Sequence, residues 1–187
     1  LGIPFIGVDS RVIDVETLKE VECGVTGEII MRGEQIFQGY WNRPEATEEA
    51  FVVVDGERFF RSGDLGYYDE EGYFFLVDRV KRMINASGFK VWPAEVESLM
   101  YAHPSIQEVC IISVPHERRG ETVKAVVVLA AGQQSTSEQD IINWCQENMA
   151  AYKCPQIVAF AESIPKSPAG KIMWRHLQDV EWGRAEA

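Results

Sequence analysis

The sequence has 187 residues, of which 46% are hydrophobic and 25% charged, so it is long enough for one globular domain or two small ones. A formal net charge of −11 argues against nucleic acid or an anionic membrane as a partner, because both require a basic surface. The four cysteines show no C-x-x-C spacing and no apolar run approaches the roughly 20 residues of a membrane span, so we expect free thiols, no metal site, no transmembrane segment and a cytoplasmic protein.

Charge is unevenly distributed along the chain. Residues 1–78 contain six Lys and Arg against seventeen Asp and Glu, whereas residues 79–187 contain twelve of each. A solvated acidic surface explains such a step as well as an electrostatic role does, so we use it only to place a boundary. We predict a first domain over 1–78 and a second over 79–187.

The first domain is predicted to be rich in β-structure. Pro44 followed by acidic residues predicts one helix over 43–51, and the turn residues 69–72 predict a hairpin. Short apolar stretches between Gly, Asp and Glu turns have the spacing of strands, and they cover 27–33, 51–54 and 73–77.

Beyond residue 79 the pattern changes to mixed α and β. Pro93 and the acids after it predict a helix start, and Ser137 with Asp140 resembles a capping box that opens a second helix. Apolar runs over 109–114 and 125–129 are short enough for strands of one sheet, and 157–160 has the pattern of an edge strand. The predicted fold class is therefore α+β.

Asp64 is the first candidate functional residue. It ends the segment 60–64, where a strand runs into a glycine turn, and a carboxylate there can accept hydrogen bonds from two adjacent hydroxyls, as on a ribose. An Asp after Gly is also a common turn residue, and on this segment alone the turn is favoured.

A second candidate segment lies at the charge boundary, where Arg79, Lys81 and Arg82 fall within four positions. The planar fork of Arg79 suits a nucleotide phosphate or ribose, although a solvated surface cluster explains the same residues. Farther along, Ser87 and Gly88 offer bare backbone that a narrow ligand can approach closely.

Lys171 ends a third segment, the Pro- and Gly-containing loop 164–171. We expect this loop to be mobile, so that its ammonium group can enter a site and stabilise the negative charge that forms when a carboxylate attacks a phosphate. The spacing is not that of a nucleotide P-loop, and an exposed loop is the simpler interpretation of this segment alone. A fourth segment, 27–47, shows no chemistry beyond strand, turn and helix start.

Together the four segments resemble the adenylate-forming superfamily of acyl-CoA synthetases, peptide-synthetase adenylation domains and firefly luciferases. The resemblance runs from Gly2 to about Leu177, and Asp78, where the family usually has Gly, is similar to the fatty-acyl ligase branch. It implies that 1–78 is the barrel-like β-rich remnant of a large N-terminal domain and 79–187 a compact, mobile C-terminal domain with a small central sheet. The matching motifs, in order, are Gly-Glu-Ile, Gly-Tyr-Trp-Asn-Arg-Pro-Glu-Ala-Thr, Arg-Ser-Gly-Asp, Ser-Gly-Phe-x-Val-x-Pro-x-Glu-Val-Glu and Pro-Lys-Ser-x-x-Gly-Lys.

The resemblance also implies a role for each candidate residue. Asp64 would bind the ribose, Arg79 would contact the nucleotide, and Lys171 would promote formation of the adenylate. Lys81 falls at the hinge about which the C-terminal domain rotates between the two half-reactions, an alternation of domain positions. After that rotation the pantetheine tunnel would be lined by Ser87, Gly88 and Phe89.

Two hypotheses about function follow. In the first, an acid:CoA ligase joins a carboxylic acid and ATP to give acyl-AMP, and CoA then forms the thioester, with Mg²⁺ required. Long- or medium-chain fatty acids are the expected substrates, while aryl acids, a peptide-synthetase adenylation domain and the oligomeric state stay open. The family's phosphate loop and acyl pocket are not in this sequence, so we expect a C-terminal fragment that is inactive alone. In the second hypothesis, the chain is a non-catalytic nucleotide-responsive or protein-interaction module.

Overall fold

The computed structural model describes residues 1–118 and 120–184, and the chain divides into two compact units, Leu1–Lys81 and Arg82–Ala187. The charge step places the division after Asp78, three residues earlier. Arg79 belongs to the first unit because it is the last residue of a strand there and pairs with Asp64. The α+β class is confirmed, since each unit combines its own five-stranded sheet with helices.

The sheet of the first unit is antiparallel and curls into half a barrel. Its longest strand, β4 (Glu57–Tyr68), pairs with β2 (Gly27–Arg32) along one edge. Along the other edge it pairs with β3 (Phe51–Val54) and then with β5 (Phe74–Arg79). The pairings of β4 with β2 and of β4 with β5 each contain a register shift, which bends and twists a sheet locally. The elements are β1 Asp9–Ile13, β2 Gly27–Arg32, α1 Pro44–Glu49, β3 Phe51–Val54, β4 Glu57–Tyr68 and β5 Phe74–Arg79.

Two local signals in this unit led to correct elements, whereas the strand end predicted at Asp64 is wrong, because β4 continues through Gly63 and Asp64 to Tyr68. The predicted helix is α1, which ends before residue 51 because Phe51 already pairs with Phe60 as the first residue of β3. The predicted hairpin joins β4 to β5, and the Asp69 carboxylate accepts hydrogen bonds from the backbone N–H groups of Glu71 and Tyr73 at 3.1 and 2.8 Å.

In the second unit, β9 (Gly120–Leu129) is the central strand. It is antiparallel to β8 (Ile106–His116), as expected for two runs of one sheet. It is parallel to β10 (Ile157–Phe160), which is an edge strand as predicted. A short 3-10 helix, Val80–Arg82, lies at the division between the units. The other elements are β6 Ile84–Ala86, β7 Phe89–Val91, α2 Pro93–Met100, β8 Ile106–His116, β9 Gly120–Leu129, α3 Glu138–Asn148, β10 Ile157–Phe160 and α4 Trp174–Glu181.

Both faces of this sheet are covered, and β8 shows it by its alternation. Val109 and Ile111 belong to the core that includes α2 and α3, whereas Cys110 and Ile112 pack on the other side with α4. Burial raises the pKa of the Cys110 thiol to about 12, so this cysteine is a core residue and not a nucleophile. In the described part of the chain, no helix is long and apolar enough to cross a membrane.

Candidate functional site

Asp64 and Arg79 are the predicted site residues that the fold brings together. They are cross-strand partners in β4 and β5, and Oδ1 of Asp64 lies 2.7 Å from Nε of Arg79. The Arg79 side chain is 66% exposed, and a pair so accessible to water contributes little to stability. Both side chains are therefore available to a ligand at this edge of the sheet.

One oxygen of Asp64 is unusual. Oδ1 is buried and has the Arg79 guanidinium as its charged partner at 2.7 Å, but no well-directed hydrogen bond reaches it within the described chain. A buried acceptor without a donor costs free energy, and a carboxylate oxygen has room for two donors. The Asp64 side chain as a whole is 28% exposed, so its carboxylate is within reach of the hydroxyl groups of a bound molecule such as a ribose.

Below this pair lies a second, buried ion pair that the sequence analysis missed. The Glu28 carboxylate is 2.6 Å from Nη2 of Arg61, and the Glu28 side chain is only 2% exposed. Both residues stand in motifs seen in the sequence, but their partnership depends on the pairing of β2 with β4. We call residues 61–64 together with Glu28 and Arg79 the Asp64 corner.

Lys81, the predicted hinge residue, is the last residue of the first unit and is exposed. Its neighbour Arg82 is anchored in the second unit, with Nη2 2.5 Å from Oε1 of Glu97. Glu97 in turn accepts a hydrogen bond of 2.9 Å from the N–H of Ile111 in β8. The hinge role of Lys81 stays a prediction.

The segment Ser87, Gly88 and Phe89 forms the tight turn from β6 into β7. Ser87 and Gly88 have φ angles of +57° and +89°, the left-handed values of a type I′ hairpin turn. The space where a Cβ would stand on Gly88 is empty to 4 Å, so the backbone is bare there, as expected. Phe89 is 57% exposed and stacks on Tyr152 with ring centroids 5.0 Å apart.

Lys171 lies in residues 165–173, which we call the Lys171 hairpin. Main-chain hydrogen bonds close this loop, since Ser167 N–H donates to Lys171 O at 2.8 Å and Met173 N–H to Pro165 O at 2.9 Å. Its mobility stays a prediction. Gly170 makes the turn with a φ of +77°. The Lys171 side chain is exposed and forms no salt bridge with another described residue.

The predicted site is thus divided between the two units. Asp64 and Arg79 belong to the first, while Lys171 and the turn at Ser87 and Gly88 belong to the second. Within the residues that the structure describes, no three His, Cys, Asp or Glu side chains form a group that could hold a metal ion.

Comparison with protein families gives two matches. The model of the AMP-binding enzyme family matches residues 1–41, and the model of the AMP-binding enzyme C-terminal domain matches residues 95–171.

Individual relatives match nearly the whole chain. A long-chain-fatty-acid–CoA ligase of Bacillus subtilis is 41% identical over 97% of this chain and 31% of its own length. A fatty acid–[acyl-carrier-protein] ligase of Streptomyces coeruleorubidus, ScoC, is 40% identical over 97% of this chain and 34% of its own. The crystal structure of ATP-bound MatB from Rhodopseudomonas palustris matches 96% of this chain and 35% of its own with a TM-score of 0.86 and 37% identity. The chain therefore spans about a third of the length of these relatives.

Proposed function

Since this chain belongs to the AMP-binding enzyme family, we propose that it is part of an ATP-dependent acid:CoA ligase that works through an acyl-AMP intermediate. The observation that carries the proposal is the Asp64 corner, where the partly exposed carboxylate of Asp64 pairs with an exposed arginine, Arg79, across two strands. The first unit would then be the end of the large domain, and the second the mobile C-terminal domain.

Two displacements make up the proposed reaction. First, a carboxylate oxygen of the acid attacks the α-phosphorus of ATP and pyrophosphate leaves. Next, the sulfur of CoA attacks the carbonyl carbon of the acyl-AMP and AMP leaves, which forms the thioester. Mg²⁺ is proposed as the ion that accompanies ATP and neutralises phosphate charge.

Each candidate residue has one task in this scheme. Asp64 accepts hydrogen bonds from the ribose hydroxyls, and Arg79 holds the nucleotide through its exposed guanidinium. Lys171 stabilises the negative charge that develops at the α-phosphate in the first step only. Rotation of the second unit about Lys81 would remove that lysine and bring the turn at Ser87 and Gly88 to the pantetheine arm.

Long- or medium-chain fatty acids are the proposed acids, because the Bacillus relative is named as a long-chain-fatty-acid–CoA ligase. CoA is the proposed acceptor for the same reason. The ScoC relative is named as a ligase for an acyl-carrier protein, so the two acceptor thiols must be compared directly.

The test measures AMP release by the whole protein that carries this chain, with ATP, Mg²⁺ and a panel of fatty and aryl acids. CoA and acyl-carrier protein are supplied in separate reactions. We expect release that depends on a fatty acid, and a raised KM for ATP in Asp64→Asn, since the amide presents only one acceptor oxygen to the two hydroxyls.

Glu70→Gln is the matched control, because Glu70 is an exposed acid in the turn between β4 and β5 and its loss changes the net charge equally. AMP release that is independent of added acid would overturn the ligase proposal and favour a nucleotide-responsive module without catalysis.

A further inference from the structure

Glu28 is the most deeply buried carboxylate of the first unit and makes no contribution to the chemistry described so far. It lies in β2 opposite Leu65 of β4, and its side chain is 2% exposed. Carboxylates are rarely buried in this way unless donors surround them, because removal of the charge from water is costly. The Glu28 side chain therefore needs an explanation from its neighbours.

All the donors to the Glu28 carboxylate come from the segment of β4 that precedes Asp64. Nε and Nη2 of Arg61 donate to Oε2 at 3.0 and 2.6 Å, and the backbone N–H of Gly63 donates to Oε1 at 3.1 Å. Arg61 supplies the compensating charge, so the pair is electrically balanced within the sheet. One carboxylate thus fixes a side chain and a backbone group that are two residues apart.

Ser62 continues the same network up to Asp64. Its hydroxyl donates to the carbonyl of Ile29, the residue after Glu28, at 2.5 Å, and it accepts the backbone N–H of Asp64 at 3.0 Å. Each of the residues 61–64 is therefore hydrogen-bonded to β2, either directly or through the Ser62 hydroxyl.

The main chain of β4 departs from regular strand geometry in this segment. Between the pairs Glu28–Leu65 and Ile30–Arg61, β4 has three residues, 62–64, where β2 has only one, and Gly63 among them has a φ of +70°. Regular ladder bonds to β2 are lost over these residues, although Asp64 still pairs with Arg79 of β5, so the position of Asp64 relative to β2 depends on the side-chain network.

We propose that Glu28 is a positioning residue for Asp64, which acts through Arg61, Gly63 and Ser62 to point the carboxylate of Asp64 at the two hydroxyls of a ribose. The inference rests on the proposed function, because it takes the nucleotide as the ligand of Asp64. It predicts that recognition of the ribose hydroxyls is lost when Glu28 is changed, even though Glu28 is too deeply buried to contact the nucleotide.

The experiment uses the whole protein and compares kcat/KM for ATP with kcat/KM for 2′-deoxyATP. The wild type should prefer ATP, and Asp64→Ala should lose that preference. Glu28→Gln keeps the shape of the side chain but removes its charge and turns one acceptor into a donor. We expect it to lower the ratio about tenfold, the effect of one misdirected charged hydrogen bond.

A double variant separates positioning from general damage. If Glu28 acts through Asp64, adding Glu28→Gln to Asp64→Ala should not lower the ratio further. Glu57→Gln is the control, since Glu57 lies on the same strand as Asp64 and pairs with Arg32 at 2.6 Å, outside the corner. If Glu28→Gln does not fold, Ser62→Ala tests the same network, with a smaller expected fall in the ratio.

The outcomes distinguish the two proposals. An inactive wild type would overturn the proposed function itself. An active wild type that prefers ATP through Asp64, with the preference intact in Glu28→Gln and in Ser62→Ala, would overturn the positioning role alone. A preference that does not depend on Asp64 would also overturn it, because there would be no recognition for Glu28 to support.

Discussion

The Asp64 corner and the Lys171 hairpin both present charged side chains for the same proposed nucleotide, but they hold them by different means. In the corner, the Glu28–Arg61 ion pair and the Ser62 hydroxyl hold residues 61–64 of β4 against β2. In the hairpin, main-chain hydrogen bonds close the loop and a glycine makes the turn, while the lysine itself is exposed.

The difference matches the proposed tasks. Asp64 would contact the ribose in both half-reactions, so its place relative to the sheet has to be fixed. Lys171 would act in one half-reaction, so it belongs on a closed hairpin that moves with its whole unit. The hairpin also shows why the lysine needs no flexible loop, since rotation about Lys81 would carry it.

The largest expected effect separates the two regions by half-reaction. Lys171→Ala should lower adenylate formation about 100- to 1000-fold and leave thioester formation from pre-made acyl-AMP nearly unchanged, whereas Asp64→Ala should lower both. Single-turnover assays of each half-reaction measure this, with the exposed Lys19→Ala as control. Equal losses in both half-reactions for Lys171→Ala would remove the basis of the comparison.

The next effect concerns stability. Arg61→Met leaves the buried Glu28 charge without its partner and should cost about 2–3 kcal/mol, somewhat reduced because Arg61 is 30% exposed. Lys166→Met removes an accessible pair with Glu108 at the base of the hairpin and should cost less than about 1 kcal/mol. Urea unfolding of the two variants tests the contrast. Similar losses in the free energy of unfolding would show that the buried Glu28–Arg61 pair stabilises the unit no more than an exposed pair does.

A smaller effect tests the turn of the hairpin. Gly170→Ala and Gly132→Ala each force a residue with a Cβ into a left-handed conformation, at φ +77° and +82°, with no steric contact within 4 Å. Each should cost about 1 kcal/mol of stability. Only Gly170→Ala should also slow adenylate formation, about tenfold, since it moves Lys171. An equal kinetic effect of Gly132→Ala would indicate a general loss of structure.

The smallest effect is a pH dependence confined to the second unit. Burial lowers the pKa of His103 below 6.5, although Asp140 opposes the change, and its Nδ1 accepts the N–H of Ser105 at 3.1 Å. The unfolded chain binds the proton more readily, so stability should fall as the pH drops below 6.5. Between pH 7.5 and pH 5.5, the midpoint of thermal unfolding should fall less for His103→Gln than for wild type. An equal fall in both proteins would mean that other groups cause the pH dependence.

Local signals predicted much of the fold. Ser137 and Asp140 form the capping box that their spacing predicts, and the Asp69 turn is where the turn residues place it. Helix α4 was missed because Met173, at its N-cap, makes no side-chain cap, and because its amphipathic pattern extends over only eight residues. The strand β1 was missed as well, although Gly7 precedes it and a turn at Asp14 follows it.

Sequence by itself determined the α+β class, the alternation of helices and strands, and the identity of the charged residues at Asp64, Arg79 and Lys171. These depend on period, capping and motif order, which are properties of neighbouring residues. Tertiary structure alone decided that Glu28 supports Asp64 from the next strand, that Asp64 pairs with Arg79, and that the Lys171 segment is closed. Each of these depends on strand pairing or on hydrogen bonds between separated residues, and no local pattern specifies them.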